Sequence, residues 1–266
     1  MNLIIVERHE LDAEDRVTVS GVRARHLHTV LRATPGQQIR IGVLDGPVGS
    51  GVITAIAPDT ATIACTFDHD VPDVPAVDVL LAVPRPKVLR RLWAQLAALG
   101  VGRILLTNAA RVERSYFDTH VLDAATYRPL LIEGLQQARD TRLPVVSVHR
   151  SFRRLVEDHL AALSDASTRL VADPMSRDPI RARLTPPPPG RVLLAVGPEG
   201  GWNQFERDLL SAHGFVGVTL GTRTLRSDTA LVALLALVHD AQSSRAAVGQ
   251  HGRAPDGYPN RTSPPS

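Results

Sequence analysis

Two strand–loop–helix units follow each other directly in the last third of the 266-residue chain, and they restrict its fold more than any other feature. The first joins the apolar run RVLLAV, the loop GPEGG and the amphipathic stretch WNQFERDLLSAHG, residues 191–214. The second joins VGVTL, the loop GTRTLRSDT and the apolar stretch ALVALLALVHDAQ, residues 216–242. Strands that alternate with helices form parallel sheets covered on both faces. The pattern therefore predicts an α/β domain with a parallel sheet.

The same alternation begins near Asp78. VDVLLAV is a continuous apolar run, which is typical of a strand buried on both faces. KVLRRLWAQLAALG predicts a helix that Gly100 ends, with Trp93 in the core and an apolar stripe formed by Val88, Leu92, Leu96 and Leu99. Further strands are predicted in RILLTN, RLPVVSV and TRLVAD, and further helices in YRPLLIEGLQQARD and FRRLVEDHLAALS.

Residues 1–72 have a different pattern, with short alternating strands at close spacing. RVTVS, IRIGVLDG and the two halves of GSGVITAIAPDTATIACTF predict a small β-barrel domain. Ser20 is predicted to cap a short helix whose stripe contains Val22, His26, Val30 and Leu31. A proline-rich linker, DHDVPDVPAV, leads to the α/β domain at residues 73–243, and we expect residues 244–266 to be a disordered tail.

Composition excludes several classes of protein. Cys65 is the only cysteine, so no intramolecular disulfide can form, and the ten histidines lack paired ligand spacing, so we expect no metal. No apolar run is long enough to span a bilayer and the N-terminal apolar stretch is too short for a signal peptide, so we expect a soluble cytoplasmic protein without a membrane partner. The net charge of +3 does not by itself identify a nucleic-acid partner.

The candidate site lies in the two loops of the last third. In open parallel sheets, ligands bind beyond the carboxyl ends of the strands. Glycines let a ligand approach the backbone, and the N–H groups of a helix start can bind its polar atoms. Asn203 and Glu206 form a capping-box pattern, which places the helix start at Asn203. Four polar residues, Arg226 to Thr229, crowd a single short loop, and that density favours a function over simple capping.

Known nucleotide-binding loops do not match. The chain lacks G-x-x-x-x-G-K-[ST], and it lacks G-x-G-x-x-G after an early strand. A P-loop hydrolase, a Rossmann dehydrogenase and an ordinary Rossmann methyltransferase are therefore disfavoured.

AVGPEGGWNQFE and GFVGVTLGTRTLRSDTALVALLAL resemble the SPOUT-class RNA methyltransferases, and more closely the RsmE family, which methylates uracil N3 in 16S ribosomal RNA. Upstream, RHLHTVLRATPGQQIRI is similar to the family's small RNA-binding barrel. PRPK and LGVGRILLTNAARVERSYF are similar to the first part of its catalytic domain. The resemblance covers nearly the whole chain except the tail.

The resemblance implies a C-terminal parallel-sheet SPOUT trefoil-knot methyltransferase domain and a PUA-like N-terminal β-barrel. It implies a homodimer that acts on 16S ribosomal RNA in the small ribosomal subunit and binds S-adenosyl-L-methionine inside the knot. The cofactor contacts that it implies are Val196, Gly197, Pro198, Glu199, Gly200, Gly201, Leu220, Gly221, Leu225, Arg226, Ser227, Thr229 and Ala230, with Asp173 and Pro174 after an earlier strand.

Methylation at N3 requires the deprotonated base, because the protonated nitrogen is a poor nucleophile. A cation near the uracil carbonyls would stabilise the developing anion, and we expect Arg226 to be that cation. Asp228 or Glu199 can accept the proton. In the alternative interpretation Arg226 binds a phosphate or forms a structural ion pair. For Glu199, bracing the loop through backbone N–H groups is the favoured role.

RNA contacts are expected from basic residues around the first helix of the α/β domain and in the barrel. On its own such a cluster is usually a solvated face, but in an RNA enzyme it favours phosphate contacts. The candidates are Arg25, Arg32, Arg85, Lys87, Arg111 and Arg114.

The sequence departs from the common family pattern at several positions, among them Ala98, Gln136, Thr222 and Asp228. Two other functions therefore stay open beside the main one. The chain could be an RNA-binding relative with lost or altered activity, or a related methyltransferase acting on another RNA position.

Overall fold

The computed structural model describes residues 3–251, with side chains for residues 3–244. Its strands are β1 (Ile4–Val6), β2 (Arg16–Ser20), β3 (Gln38–Val43), β4 (Val48–Ile56), β5 (Thr60–Phe67), β6 (Val77–Ala82), β7 (Val101–Thr107), β8 (Val145–His149), β9 (Thr168–Ala172), β10 (Val192–Val196) and β11 (Phe215–Val218). Its α-helices are α1 (Val22–Arg25), α2 (Pro86–Ala98), α3 (Ala124–Ala138), α4 (Phe152–Arg154), α5 (Leu160–Leu163), α6 (Ile180–Arg183), α7 (Gln204–Ala212) and α8 (Ser227–His251).

The first five strands form one sheet in the order β1-β3-β4-β5-β2. Its pairs are antiparallel except β1 with β3. Apolar side chains from all five strands, including Val6 and Val17 on the two edge strands, belong to a single buried cluster. The sheet therefore curls around a common core, in agreement with the small all-β unit predicted for this part of the chain.

Strand β1, which the sequence analysis did not assign, joins the two parts of the molecule. Ile4 and Val6 face the small core, while Leu3 and Ile5 belong to the large core of the α/β part. Alternate residues of a strand point to opposite faces, so one short strand serves both cores. The Leu3 N–H also donates to the Gln136 carbonyl on α3 at 3.0 Å.

The short helix after β2 differs from its prediction. Ser20 is the last residue of β2, and the N-cap is Gly21, which has φ +62° and receives no side-chain cap bond. Val22 and Val30 are 76% and 66% exposed, whereas Leu27 is buried. Residues 26–30 adopt a π-helical turn, whose wider hydrogen-bond spacing breaks the α-helical spacing on which the predicted stripe depends.

The remaining six strands form an entirely parallel sheet in the order β11-β9-β10-β6-β7-β8. Every residue of the central strands β6 and β10 is buried, as their continuous apolar runs predict. Helix α2 buries Val88, Leu92, Leu96 and Trp93, and Gly100, at φ +71°, follows its end. Helix α7 begins after the N-cap Asn203, as its capping box predicts. The alternating pattern of this part of the chain is confirmed.

A buried acid lies inside the parallel sheet. Asp78, on β6, is completely buried and accepts hydrogen bonds from Arg191 at 2.8 Å and from the Ser164 hydroxyl at 3.1 Å. Arg103 on the neighbouring β7 lies 3.4 Å from the same carboxylate. These contacts compensate the carboxylate for its loss of water.

The chain's last helix is longer than predicted. Helix α8 continues to His251 and so reaches into residues 244–251 of the segment expected to be a disordered tail, and the rest of that segment, 252–266, lies outside the described residues. Residues 239–248, which follow the apolar run, contain neither glycine nor proline, so nothing in them ends the helix. Across residues 3–251, no helix is long and apolar enough to cross a membrane.

Candidate functional site

A cleft of about 900 Å³, including its open mouth, lies at the carboxyl ends of β9 and β10. It is formed by three segments that are distant in sequence: Asp173 to Met175 after β9, the glycine loop 196–202 after β10, and the segment 224–230 at the start of α8. A smaller recess, with about 360 Å³ of empty space including its open mouth, shares part of this wall and adds Leu220 and Arg223. Parallel strands place their following loops at one edge, which explains why these segments meet.

Most of the residues expected to contact a cofactor lie around this cleft. Leu220 lines the adjoining recess, whereas Gly221, Arg226 and Thr229 line neither. Those that line the cleft itself are Val196, Gly197, Pro198, Glu199, Gly200, Gly201, Asp173, Pro174, Leu225, Ser227 and Ala230. Cofactor contact by these residues stays a prediction. The lining also contains Ala172, Thr224 and Trp202, which lie within or beside the segments expected to hold the cofactor, and Arg111, which was expected to contact RNA. Sequence reasoning did not include the remaining lining residues, Met175 and Arg207.

The three glycines of the loop serve two purposes, since two of them leave room for a neighbouring side chain and the third adopts a positive φ. A Cβ at Gly197 would lie 3.0 Å from Nε1 of Trp202, and a Cβ at Gly200 would lie 2.8 Å from Cδ of Arg111. Gly201 has φ +73°, a conformation that strains other residues. Packing against the buried ring of Trp202 therefore favours glycine at position 197, and backbone conformation favours it at position 201, in addition to any need for a ligand to approach the backbone.

Trp202 is both a core residue and part of the cleft wall. Its side chain is 3% exposed and its ring packs on that of Phe152, with 5.2 Å between centroids. Its indole Nε1 is buried and has no hydrogen-bond partner among the described residues. A buried donor without a partner is costly, so this atom is a candidate contact for a polar group of a ligand.

Two arginines from other loops hold the glycine loop. Arg85 Nε lies 3.0 Å from Oε2 of Glu199, and Arg111 Nη1 donates to the Gly200 carbonyl. Glu199 raises the pKa of Arg85 above its ordinary value, and a hydrogen bond to Tyr116 adds to the shift. Glu199 thus braces the loop through an arginine, and the expected bracing through backbone N–H groups is not found among the described residues. Arg85 and Arg111 were expected to contact RNA, which stays a prediction, and in this structure they contact the glycine loop.

A buried carboxylate fixes the start of α7 below this loop. Glu206 is 3% exposed and accepts from the backbone N–H groups of Asn203 at 2.8 Å and Ala110 at 2.6 Å. The side chain of Asn203 accepts in return from the Glu206 N–H. The contact with Ala110 ties the loop after β7 to α7, and no pattern in the sequence signalled it.

Arg226 and Asp228 lie at the margin of the cleft. Helix α8 begins at Ser227, so Ser227, Asp228 and Thr229 form its first helical turn, and the prediction that they belong to a loop is wrong. Asp228 lies 3.6 Å from Arg226 Nε and 3.4 Å from Arg91 Nη2. An acid in a first helical turn is stabilised by the helix dipole, which favours helix over loop here. The side chain of Arg226 is 67% exposed.

The other basic candidates are surface residues. Lys87 and Arg114 are exposed near the cleft-forming loops, and Arg32 is exposed in the N-terminal unit. Arg25 is also exposed, and it pairs with Asp59 at 3.1 Å. RNA contact by these residues stays a prediction. Within the described residues no group of three or more His, Cys, Asp or Glu side chains is placed to hold a metal ion.

Comparison with known proteins gives consistent matches. A family model described as an RNA methyltransferase domain matches residues 72–239. Ribosomal RNA small subunit methyltransferase E of Treponema pallidum is 33% identical over 245 residues, which cover 90% of each chain. The protein of the same name from Mycobacterium tuberculosis is 27% identical, over 83% of this chain and 84% of the relative.

Among solved structures, ribosomal RNA small subunit methyltransferase E from Neisseria gonorrhoeae, bound to S-adenosyl methionine, has a similar fold. The TM-score is 0.73 and the identity 22%, over 90% of this chain and 97% of that one. At this identity the likeness establishes a shared fold.

Proposed function

The chain belongs to the RNA methyltransferase family that includes ribosomal RNA small subunit methyltransferase E, and from this membership we propose that it methylates N3 of a uracil in 16S ribosomal RNA. The methyl donor is S-adenosyl-L-methionine, which the similar protein from Neisseria gonorrhoeae binds in its structure. The observation that carries the proposal is the single cleft formed by the segments 173–175, 196–202 and 224–230.

The cleft has the size and chemistry that such a cofactor needs. Small-molecule sites usually enclose about 300–1,000 Å³ and combine apolar walls with a few polar groups. Here Leu225 and Ala230 supply apolar wall, the glycine loop supplies backbone, and Trp202 Nε1 supplies a buried donor without a partner among the described residues. When bound, S-adenosyl-L-methionine supplies an electrophilic methyl group.

The chain's own side chains would prepare the uracil for attack. We assign Arg226, at the margin of the cleft, to stabilise the anion that forms when N3 loses its proton. Glu199 lines the cleft whereas Asp228 does not, so Glu199 is the better placed proton acceptor. When Glu199 accepts the proton of N3, either its ion pair with Arg85 would have to break or the carboxylate would have to contact Arg85 and the uracil at the same time.

We further propose a cytoplasmic homodimer that acts on the small ribosomal subunit. An open groove of about 800 Å³ between α2 and α8 supports the dimer, because its lining includes apolar side chains of α8 that the single chain does not fully bury, Val232, Ala233 and Ala236. Light scattering in solution would then give a mass twice the 28.7 kDa of one chain, and a mass of one chain would contradict the dimer.

A methylation assay tests the proposed activity. The protein is incubated with labelled S-adenosyl-L-methionine and small ribosomal subunits whose uracils lack the modification, and the RNA is digested to nucleosides. Mass spectrometry is expected to detect N3-methyluridine. Arg226→Gln should lower kcat by roughly 100-fold, the size of effect that follows loss of one group stabilising a developing charge. The control Arg154→Gln removes an exposed arginine on α4 and should have no effect.

The same assay also distinguishes the two alternative functions. Methylation at a different nucleotide would indicate a related enzyme for another RNA position. RNA binding without any methyl transfer would indicate a relative that has lost the activity.

A further inference from the structure

A second groove lies beside the cofactor cleft, at the carboxyl ends of β7 and β8 and the start of α7. Its empty volume is about 620 Å³, and it is open to solvent along one side. Nothing in the proposed methyl transfer uses it. It is called the α7 groove here, and it is lined by Asn108, Ala109, Ala110, Arg150, Ser151, Phe152, Arg153, Asn203, Phe205 and Glu206.

An exposed aromatic ring forms one side of the α7 groove. Phe205 is 54% exposed, whereas Phe117, Phe152 and Phe215 are buried. Helix α7 turns its Glu206 and Leu210 side toward the protein interior. Phe205 does not lie on that buried face, so its ring points toward solvent. A large ring that the fold leaves in water gains most from a flat partner, and a nucleobase has such a face.

The charge around the ring is suited to a polyanion. Arg150 and Arg153 line the groove, and the carboxylate of Glu206 is already occupied by two backbone N–H groups. Arg150 pairs with Asp118 at 3.2 Å and Arg153 with Glu157 at 2.8 Å, but all four side chains are at least one-third exposed. Exposed ion pairs of this kind contribute little, so a phosphate can replace the carboxylates.

The α7 groove adjoins the cofactor cleft at two points of the chain. Trp202 lines the cleft and the next residue, Asn203, lines the groove. Likewise Ala110 lines the groove and the next residue, Arg111, lines the cleft. Successive Cα atoms are about 3.8 Å apart, so the two sites are immediate neighbours on one edge of the sheet. A nucleotide in the groove would lie beside one whose base enters the cleft.

We propose that the α7 groove binds a single-stranded RNA nucleotide that flanks the target, with its base stacked on Phe205 and its phosphate held by Arg150 and Arg153. This inference rests on the proposed function, since it assumes that the substrate is RNA. It assigns substrate recognition to α7 and to the loop after β8, none of whose residues were among the RNA-binding candidates in the sequence. Stacking on aromatic side chains with arginines at the phosphates is the usual way to hold unpaired RNA.

The test uses the full chain and a short fluorescein-labelled oligouridylate, with affinity measured by fluorescence anisotropy. Phe205→Ala should weaken binding about tenfold, as expected for loss of one stacked base. Arg153→Gln should weaken it by a smaller factor and reduce the salt dependence by about one phosphate contact. The matched controls are Val145→Ala, which removes an exposed apolar side chain at the other end of β8, and Arg154→Gln, next to Arg153. Both controls should bind like the wild type.

Phe205→Trp adds a second measurement, the fluorescence of the new indole, which RNA should change only if the base contacts this ring. Because Trp93 and Trp202 are buried, the new indole should dominate any change in emission, and a stacked base should quench it while affinity stays near that of the wild type. Unchanged affinity of Phe205→Ala, or indole emission of the Phe205→Trp variant that RNA does not alter, would overturn the proposal. So would wild-type protein that binds S-adenosyl-L-methionine but not the oligonucleotide.

Calorimetry with S-adenosyl-L-methionine on the same samples separates the two proposals. Wild-type protein that fails to bind the cofactor argues against the proposed function itself. If the wild type binds both the cofactor and the oligonucleotide, and Phe205→Ala also binds both, the result contradicts the RNA site in the α7 groove and leaves the proposed function intact.

Discussion

At the scale of single residues, the glycine loop shows how a backbone can be shaped by its own side chains. The sequence predicted that glycines there admit a ligand, but Gly197 and Gly200 also make room for Trp202 and Arg111. The two arginines that contact the loop come from loops far away in the chain, so no local pattern could reveal them. The capping box, in contrast, is a local pattern and was predictable.

Gly197→Ala should reduce the free energy of unfolding by about 1–3 kcal/mol, because the new methyl group overpacks a buried site. The methyl would lie 3.0–3.1 Å from the ring of Trp202, which is buried and cannot move aside. Gly217→Ala is the matched control, since its Cβ would meet its nearest neighbour at an ordinary 3.5 Å. Urea denaturation of both variants measures the difference, and equal losses would contradict this account of the loop.

Arg111→Ala should weaken S-adenosyl-L-methionine binding by roughly fivefold, because the Gly200 carbonyl loses its donor and the loop loses its position. Arg114→Ala, which removes an exposed arginine three residues further on, should bind like the wild type. Calorimetric titration of the cofactor distinguishes the two. If both variants bind it equally well, Arg111 has no part in positioning the loop.

His239 predicts a dependence of stability on pH. Burial lowers the pKa of this histidine below its ordinary 6.5, and its Nε2 has no partner among the described residues. The unfolded chain therefore takes up a proton at His239 more readily than the folded one. The free energy of unfolding should decrease as the pH falls below about 6.5. His239→Leu should flatten the loss of Tm between about pH 7 and pH 5. An unchanged pH profile would contradict it.

At the scale of secondary-structure elements, the strands and helices of the parallel sheet were predictable from period and run length, as β6, α2 and β10 show. The failures have physical causes. Strand β1 is three residues long and is stabilised by two cores at once, which no local pattern reports. The π-helical turn at residues 26–30 changes the spacing on which the stripe argument depends.

The contacts of Asp78 give a prediction for the sheet as a whole. Asp78→Ala should cost about 3–5 kcal/mol, because it leaves Arg191 in a largely buried position without this partner. Asp165 also pairs with the two arginines that contact Asp78, with Arg103 at 2.9 Å and with Arg191 at 3.2 Å, but its side chain is 76% exposed. Asp165→Ala should therefore cost less than about 1 kcal/mol. Denaturant midpoints compare the two variants, and similar losses would contradict the importance of burial.

At the scale of the whole molecule, the two-part architecture followed from the change of pattern near Asp78, and the resemblance identified the family. The pattern of alternating strands and helices does not determine strand order, which places β10 between β9 and β6 and brings its loop beside the start of α8. The position of Arg226 outside the cleft lining also depends on this three-dimensional arrangement. The knot implied by the resemblance stays a prediction.

The most direct test of the central claim is calorimetric titration of S-adenosyl-L-methionine into the wild type, Ala230→Leu and Ala182→Leu. Ala230 lines both the cleft and the adjoining recess, so a larger side chain there fills the proposed site. Ala182 is an exposed alanine on α6, and it controls for the substitution itself. We predict that the wild type and Ala182→Leu bind one cofactor per chain and that Ala230→Leu binds none. Equal binding by all three folded proteins, or no binding by the wild type, would contradict the assignment of this cleft.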